Sequence, residues 1–413
     1  MYLTIIIVFL LLSFCINSLA DFLNVKNMSD VLPEEFAGYY DKEKYKKSQN
    51  YLKDRTKFSF ISSTFFLAIS ISFILAGGFN YVDVFARSFG YGEIVSGIIF
   101  TVALVLILEI LQTPFSAYST FVIEEKYGFN KTSLKTFVSD IIKNLALMFV
   151  IGTPVFSLII WFFIKYGSVA WVYASVTVIL FELLITFIAP VFIMPLFNKY
   201  VPLEDGELKN ELENYAKEQN FKMKGLYKMD GSKRSTKTNA FFTGFGKFRR
   251  IVLFDTLIER HTVQELVSVL AHEMGHYKKG HILKFMIMSF FNTIILFFLL
   301  SLFIGNQALF DAFKMQTVSV YGALIFFGFL YTPISMFLSV VQNIISRKYE
   351  YEADKYSVTT YKNPQSMIEA LKKLSVDNLS NLTPHKFKVF MEYSHPTVLD
   401  RIKAIRKIGK LED

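Results

Sequence analysis

Residues 271–281 read AHEMGHYKKGH, with two histidines four positions apart and a glutamate between them. On a helix, His272 and His276 project from one face about one turn apart, so both imidazoles can reach one metal ion. Glu273 stands beside them, where it could take a proton from an attacking water. The pattern predicts a hydrolytic zinc site on a helix. The alternative is a chance match in a protein without this chemistry.

The residues around this motif predict the helix that carries it. Residues 262–265, TVQE, form a capping box, in which the threonine and the glutamate satisfy free N–H groups at a helix start. Apolar side chains then recur at helical spacing, at Leu266, Val267, Leu270 and Met274. The opposite stripe carries Glu265, Ser268 and both histidines. We therefore predict a helix over 262–280.

The rest of the chain has the composition of a protein that crosses a membrane several times. Of its 413 residues, 53% are hydrophobic and 17% aromatic, and 45 are Phe, which is unusual for a soluble domain. A span needs about 20 mostly apolar residues. Seven stretches meet this condition: 2–20, 58–79, 94–122, 141–163, 169–197, 282–304 and 318–345. The predicted fold is an α-helical membrane protein with about seven transmembrane helices.

The first of these stretches, residues 2–20, is open to two interpretations. Ser18, Leu19 and Ala20 make an acceptable cleavage site for a secretory signal peptide. No Lys or Arg precedes the stretch, however, so the positively charged start of such a peptide is missing. We therefore expect a retained membrane anchor.

The positive charge of the chain is better explained by membrane topology than by nucleic-acid binding. The net charge is +9, but no RNA- or DNA-binding signature accompanies it. Residues 21–57 hold eight Lys or Arg, whereas residues 80–93 hold one. Positive residues favour the cytoplasmic side, which places the N-terminus outside and loop 21–57 inside. Alternation through seven spans then brings residues 198–281 and 346–413 to the cytoplasmic side together.

A third metal ligand must come from another part of the chain. The single cysteine, Cys15, lies in an apolar stretch, so any metal must be held by histidine and carboxylate. Residues 346–356, SRKYEYEADKY, place Glu350 and Asp354 four positions apart, on one helix face. Taken alone, this pattern is more typical of a solvated amphipathic helix. The predicted topology brings it to the membrane face of the histidine pair, which makes it a candidate.

The other four histidines give weaker signals. His261 precedes the predicted helix and suits a surface position, and His385 lies in a polar loop. His281 stands at the membrane edge, five residues after His276, and is not expected to be a ligand. His395, in MEYSHPTVLDRI, precedes a proline, which favours a helix start there. On these grounds a capping or surface role for His395 is as plausible as a catalytic one.

Together these motifs resemble the type I CAAX prenyl proteases, which are integral-membrane zinc metallopeptidases that process isoprenylated C-termini. The resemblance runs from about residue 34 to 405. It is carried by EKYKKSQNYLKDRTKF, PLFNKYVPLEDGELK, GSKRSTKTNAFFTGFGKFRRIVLFDTLIE, LAHEMGHYKKGH, SRKYEYEADKY and YSHPTVLDRI. The first and third segments are more specific than the zinc motif, which many metallopeptidases share.

The resemblance implies an architecture and a ligand set. Seven long helices would form a barrel around a water-filled chamber, closed at the cytosolic end by a small α+β zinc-peptidase domain. One zinc ion per chain would be held by His272, His276 and Glu350, with Glu273 as general base. The substrate would be a lipidated or membrane-associated peptide, whose lipid needs the bilayer while its peptide needs water.

The resemblance also assigns supporting residues. His395 would steady the oxyanion, Asp354 would hold a ligand histidine, and Arg401 would support the site near His395. The resemblance further implies that one edge strand holds the substrate backbone by strand addition, at Asn239 and Ala240. This chain has Phe241 and Thr243 where the family often has tyrosines, which leaves the peptide preference open.

The predicted organisation has four parts. They are transmembrane helices 1–5 in residues 1–197, including loop 21–57; the zinc-peptidase segment 198–281; transmembrane helices 6 and 7 in 282–345; and the C-terminal segment 346–413, which completes the site. Segment 198–281 is expected to hold a surface helix in EDGELKNELENYAKEQN and short strands in GLYKMDG, TKTNAFFTGFG and RRIVLFDTL. High Lys, Phe and Ile usage favours a bacterial inner membrane, and the ER membrane would apply to a eukaryotic source. Oligomeric state is left open.

Two other classes of protein are weighed against this interpretation. A heat-shock quality-control membrane protease shares the zinc motif but would have fewer spans. A transporter or scaffold with a degenerate site would show a broken ligand set, and this set is complete. Intramembrane proteases of the site-2 type place the zinc motif inside a span, whereas Glu265, Lys278 and Lys279 flank it here.

Overall fold

The structure, a computed structural model, describes residues 1–244 and 249–411. The helices are α1 (Tyr2–Lys26), α2 (Lys42–Leu75), α3 (Gly78–Arg87), α4 (Glu93–Tyr118), α5 (Leu134–Leu147), α6 (Thr153–Tyr166), α7 (Ala170–Ile188), α8 (Met194–Phe197), α9 (Glu207–Glu218), α10 (Asp255–Ile258), α11 (Val263–Lys278), α12 (His281–Ser301), α13 (Gln307–Ala312), α14 (Val320–Tyr361), α15 (Pro364–Asp377), α16 (Lys386–Glu392) and α17 (Val398–Gly409). The strands are β1 (Tyr200–Pro202), β2 (Gly225–Met229), β3 (Ala240–Thr243) and β4 (Arg250–Phe254). The predicted α-helical membrane fold with a small sheet is confirmed.

Six helical stretches within the described residues are long and apolar enough to cross a membrane. They are Tyr2–Lys26, Lys42–Leu75, Glu93–Glu124, Leu134–Phe197, His281–Ser301 and Val320–Tyr361. The fourth is 64 residues long, but the chain turns at Gly167, whose φ of 57° favours glycine, and α6 then packs against α7. The fourth and fifth predicted spans are therefore the two arms of this one stretch.

The apolar surface of these stretches is largely left for lipid. In each, only 6–17% of the most apolar window is buried inside the protein. A soluble protein would cover such faces with other elements, whereas a bilayer solvates them. The chain is therefore a multi-pass membrane protein. The side of the membrane that each loop faces stays a prediction.

The first helix packs into the body of the protein. It contacts α2, α14 and α16, and it buries Ile6 and Ala20 completely. Near its C-terminal end, the side chain of Asn24 accepts hydrogen bonds from Asn381 Nδ2 and from the backbone of His385, each at 3.1 Å. These contacts tie α1 to the C-terminal segment that carries His395. They favour the retained anchor, which itself stays a prediction.

Along the chain, the four strands of the sheet follow α8 and precede α11, the helix that holds the histidine pair. Its strand order is β1-β2-β4-β3, with β2 and β4 parallel and the outer pairs antiparallel. β3 is an edge strand, paired with β4 from Ala240 opposite Leu253 to Thr243 opposite Arg250. The strands β2, β3 and β4 fall where the sequence predicts them, whereas β1 was not predicted. Residues 245 and 246 of the segment TKTNAFFTGFG lie outside the described residues.

The predicted surface helix in this segment is only partly at the surface. α9 buries Leu212, Tyr215 and Ala216 on one face, and that face packs against α11. Its charged residues occupy the other face. The helix thus supports the back of the helix that carries the histidines.

Candidate metal centre

Helix α11 holds the histidine pair, and its start is built as predicted. Thr262 Oγ1 accepts from the Glu265 backbone at 3.3 Å, and Glu265 Oε2 accepts from the Thr262 backbone at 3.2 Å. These two bonds complete the capping box and set the start of the helix. The predicted helix is confirmed, with bounds Val263–Lys278.

A close crossing of α11 and α14 brings the two halves of the site together. A Cβ atom at Gly275 would lie 2.9 Å from Ala353 Cα and 3.0 Å from its carbonyl oxygen, so only glycine fits there. Gly275 is flanked on the helix by His272 and His276, and Ala353 lies between Glu350 and Asp354. The small residue inside the motif therefore sets the distance between the histidines and the carboxylates.

The two histidines and Glu350 converge on one point. His272 Nε2 lies 3.2 Å from His276 Nε2 and 3.4 Å from Glu350 Oε2, and His276 Nε2 lies 3.2 Å from Glu350 Oε1. Ligands bound tetrahedrally to zinc at about 2.0–2.2 Å would lie roughly 3.3–3.6 Å apart. The geometry fits a metal ion held by these three side chains.

The unsatisfied atoms at this point also favour a cation. Glu350 is 4% exposed, and its Oε2 makes no hydrogen bond to any described residue. A buried carboxylate oxygen that accepts no hydrogen bond is costly, and a metal ion would satisfy it together with the ring nitrogens. The donor set of two imidazoles and one carboxylate suits a transition metal.

Asp354 and Arg401 hold His272 in the orientation that a metal needs. His272 Nδ1 lies 2.8 Å from Asp354 Oδ1, so Nδ1 is the protonated nitrogen and the Nε2 lone pair is left for the metal. Arg401 donates to both oxygens of Asp354, at 2.9 Å and 2.6 Å. The Arg401 guanidinium also lies 3.4 Å from Glu350 Oε2, so it contacts both carboxylates of α14. It lines the same cavity as His395, and its predicted support of the site there stays a prediction.

His281 takes a position that the sequence reasoning missed. It offers no atom to the ligand group, but its Nδ1 lies 3.0 Å from His276 Nδ1, and its Nε2 lies 3.1 Å from Glu352 Oε2. Its ring stacks on Tyr349 with a centroid distance of 4.0 Å. The sequence feature that could have predicted this position is Gly280, directly before His281. Gly280 has a φ of 68°, and the turn at this residue brings the start of α12 back to His276.

Glu273 lies where a general base would be expected. It lines a cavity of about 670 Å³ together with His272, Glu350 and His395. Burial raises the pKa of the Glu273 carboxyl, while the neighbouring histidines lower it. A raised pKa makes a carboxylate a better proton acceptor near neutral pH.

His395 faces the same cavity from the C-terminal segment. Its Nε2 lies 3.3 Å from Glu350 Oε1, and its Nδ1 lies 2.9 Å from Ser394 Oγ. The expected helix start at His395 is wrong, because α17 begins at Val398 and is capped by Thr397. The side chain is 62% exposed, but that exposure is to the cavity, and burial lowers the pKa of the imidazole.

The predicted substrate strand borders this cavity. Asn239 and Ala240 line it together with His272 and Glu350, where β3 begins. The inner side of β3 is occupied by β4, and the Asn239 carbonyl accepts from the Phe254 backbone at 3.1 Å. The other side of β3 has no strand partner among the described residues, so an extended peptide can pair with it.

The loop before His395 is held by α14, on the same helix face as Glu350. Arg347 Nη1 donates to the carbonyls of Val389 and Tyr393, and Asn343 Nδ2 donates to that of Met391 at 3.0 Å. These carbonyls belong to the end of α16, where free acceptors need partners. One face of α14 therefore positions both a candidate metal ligand and the segment that carries His395.

Removing the Arg347 side chain should affect the reaction through His395. We expect Arg347→Ala to lower kcat about tenfold with the metal content unchanged, which is smaller than the roughly 10²–10³ loss expected for His395→Ala. In the His395→Ala background, Arg347→Ala should cause no further loss, because the two changes remove the same interaction. Arg347→Lys should restore part of the activity. Fully additive losses in the double variant would contradict this coupling.

Two family models together cover nearly the whole chain. Residues 21–199 match the model described as CAAX prenyl protease N-terminal, five membrane helices, and residues 202–409 match peptidase family M48. A solved structure, the crystal structure of S. mikatae Ste24p, superposes with a TM-score of 0.93 at 32% sequence identity. The superposition covers 98% of this chain and 99% of that one.

Curated relatives agree with the family models. The probable CAAX prenyl protease 1 of Schizosaccharomyces pombe is 37% identical, over 90% of this chain and 81% of its own length. CAAX prenyl protease 1 of Saccharomyces cerevisiae is 33% identical, over 92% and 89%. The CAAX prenyl protease 1 homolog of Homo sapiens is 33% identical, over 91% and 88%. The chain therefore belongs to peptidase family M48, as a membrane metallopeptidase of the CAAX prenyl protease 1 group.

Proposed function

We propose that this chain is a membrane zinc endopeptidase that cleaves peptide bonds near the C-terminus of isoprenylated CAAX-type or similar membrane-associated peptides. The observation that carries the proposal is the group of His272, His276 and Glu350, whose ligand atoms all lie within 4.8 Å of one another beside a large cavity. The printed names of the relatives supply the substrate class.

The chemistry divides between the metal and the residues of the chain. When bound, a zinc ion would polarise the scissile carbonyl and lower the pKa of a water molecule. Glu273 takes the proton of the attacking water and passes it to the leaving amine. His395 donates a hydrogen bond to the oxygen that becomes negative. Asn239 and Ala240 hold the substrate backbone along β3.

The test is metal analysis combined with a pair of substrates. We expect about one zinc per chain, since the described residues offer one ligand set. A farnesylated CAAX peptide should be cleaved with a KM well below that of its unprenylated twin, since the lipid adds apolar burial. Equal cleavage of both peptides would favour the alternative function, that of a quality-control membrane protease. If the protein tightly binds a different metal, that metal would replace zinc in the proposal.

We further propose that the site opens to the cytoplasmic side. The support is the excess of Lys and Arg in residues 21–57 and the alternation of the spans. A cysteine placed at Asp230 in a Cys15→Ala background should resist membrane-impermeant labelling from outside. Efficient external labelling would reverse the orientation.

A further inference from the structure

The active-site cavity adjoins a second polar cavity of about 690 Å³, which we call the side cavity. Both cavities are lined by Asn378, Ser380, Asn381, Glu392 and Tyr393, so they adjoin each other. The side cavity lies between α1, α2 and the C-terminal segment. A peptide bound at the metal site can therefore extend into it.

Two cations line the side cavity, and they differ in their pairing. Lys388 is already neutralised, because it contacts Asp21 at 2.6 Å and also Glu392. Arg55 has no carboxylate within 4 Å among the described residues. Its guanidinium meets the Tyr51 hydroxyl at 3.4 Å and lies over the ring of the same residue, 5.6 Å from the ring centroid. The Arg55 side chain is exposed and lines the side cavity. It is the cation there that is free to meet an anion.

A chain of contacts places Arg55 near the substrate strand. The Tyr51 hydroxyl that meets Arg55 also accepts from Lys237 Nζ at 2.8 Å. Lys237 lies three residues before Ala240, and the intervening Thr238 backbone is held by Asn378 Oδ1 at 3.1 Å. The segment 237–240 thus leads from the metal cavity to the neighbourhood of Arg55. Lys237 is itself paired with Glu124 at 2.8 Å, so it offers no free charge.

We propose that Arg55 binds the C-terminal carboxylate of the peptide substrate. This inference rests on the proposed function, because cleavage after the cysteine of a CAAX sequence leaves three residues that end in a free carboxylate. Three extended residues span at most about 10 Å, as does the segment 237–240. A tail that lies beside this segment brings its carboxylate to Arg55, whose planar fork suits that group. The assignment of Arg55 to this carboxylate also gives a role to the segment EKYKKSQNYLKDRTKF, which carries the family resemblance but holds no metal ligand.

The test compares a farnesylated peptide that has a free C-terminal carboxylate with the same peptide ending in an amide. The wild-type enzyme should show a KM about tenfold higher for the amide, the order expected for losing hydrogen bonds to a charged group. Arg55→Gln should raise the KM for the acid to that of the amide, with kcat nearly unchanged and the amide unaffected. Lys53→Gln, an exposed lysine on the same helix, is the control and should change neither KM.

Two results would overturn the assignment while leaving the proposed function intact. One is a wild-type enzyme that cleaves both peptides with the same KM. The other is an Arg55→Gln variant that raises the KM of both peptides equally, which would indicate a general change in the cavity. Failure of the metal-loaded wild-type enzyme to cleave either peptide would overturn the proposed function and this inference with it.

Discussion

Glu350→Ala is expected to remove the metal and the activity together. Two imidazoles alone leave a catalytic zinc with too few protein ligands. The change would also leave the Arg401 guanidinium without the carboxylate 3.4 Å away, in a region where Arg401 itself is only 9% exposed. We therefore expect metal content near zero after purification and no measurable peptide cleavage. Metal analysis and cleavage assays on one preparation check both effects.

A matched control separates metal loss from a general defect in α14. Lys355→Ala changes an exposed residue five positions after Glu350 on the same helix and should keep both metal and activity. Glu350→Gln, which keeps the side-chain shape but loses the charge, should bind zinc far more weakly than the wild type. A folded Glu350→Ala protein with full metal occupancy and normal turnover would show that the third ligand is another residue.

Glu273→Gln is expected to give a folded, metal-loaded protein with almost no turnover. Glutamine is close to glutamate in shape but cannot accept a proton from water. General bases contribute about 10²–10⁴ in rate, so kcat should fall by that factor while zinc content and melting temperature stay near wild type. Residual activity within about tenfold of wild type would argue against the role of Glu273 as the base.

Much of the local structure of this protein follows from short stretches of its sequence. The capping box at Thr262 and Glu265 predicts where α11 begins, because the partners of these hydrogen bonds are three residues apart. The transmembrane spans can be predicted from the sequence because a bilayer requires long apolar stretches. The spacing of His272 and His276 places two ligands on one face, since a helix repeats every 3.6 residues. Each of these features depends on neighbours in the chain.

The parts of the site that join distant segments were decided only by the tertiary structure. The sequence could place Glu350 and Asp354 on one helix face, but it also allowed that face to be solvated. Their approach to the histidines depends on the crossing of α11 and α14 at Gly275, between segments about 80 residues apart.

The same holds for residues that lie further from the proposed metal ligands. His281 meets His276, Arg347 meets the loop before His395, and Arg55 lines a cavity that adjoins the one at the metal site. For none of these residues does the spacing along the sequence predict the contact partner. Hydrogen bonds and ion pairs act over about 3–4 Å in space, whatever the distance along the chain, so only the packed fold assigns them.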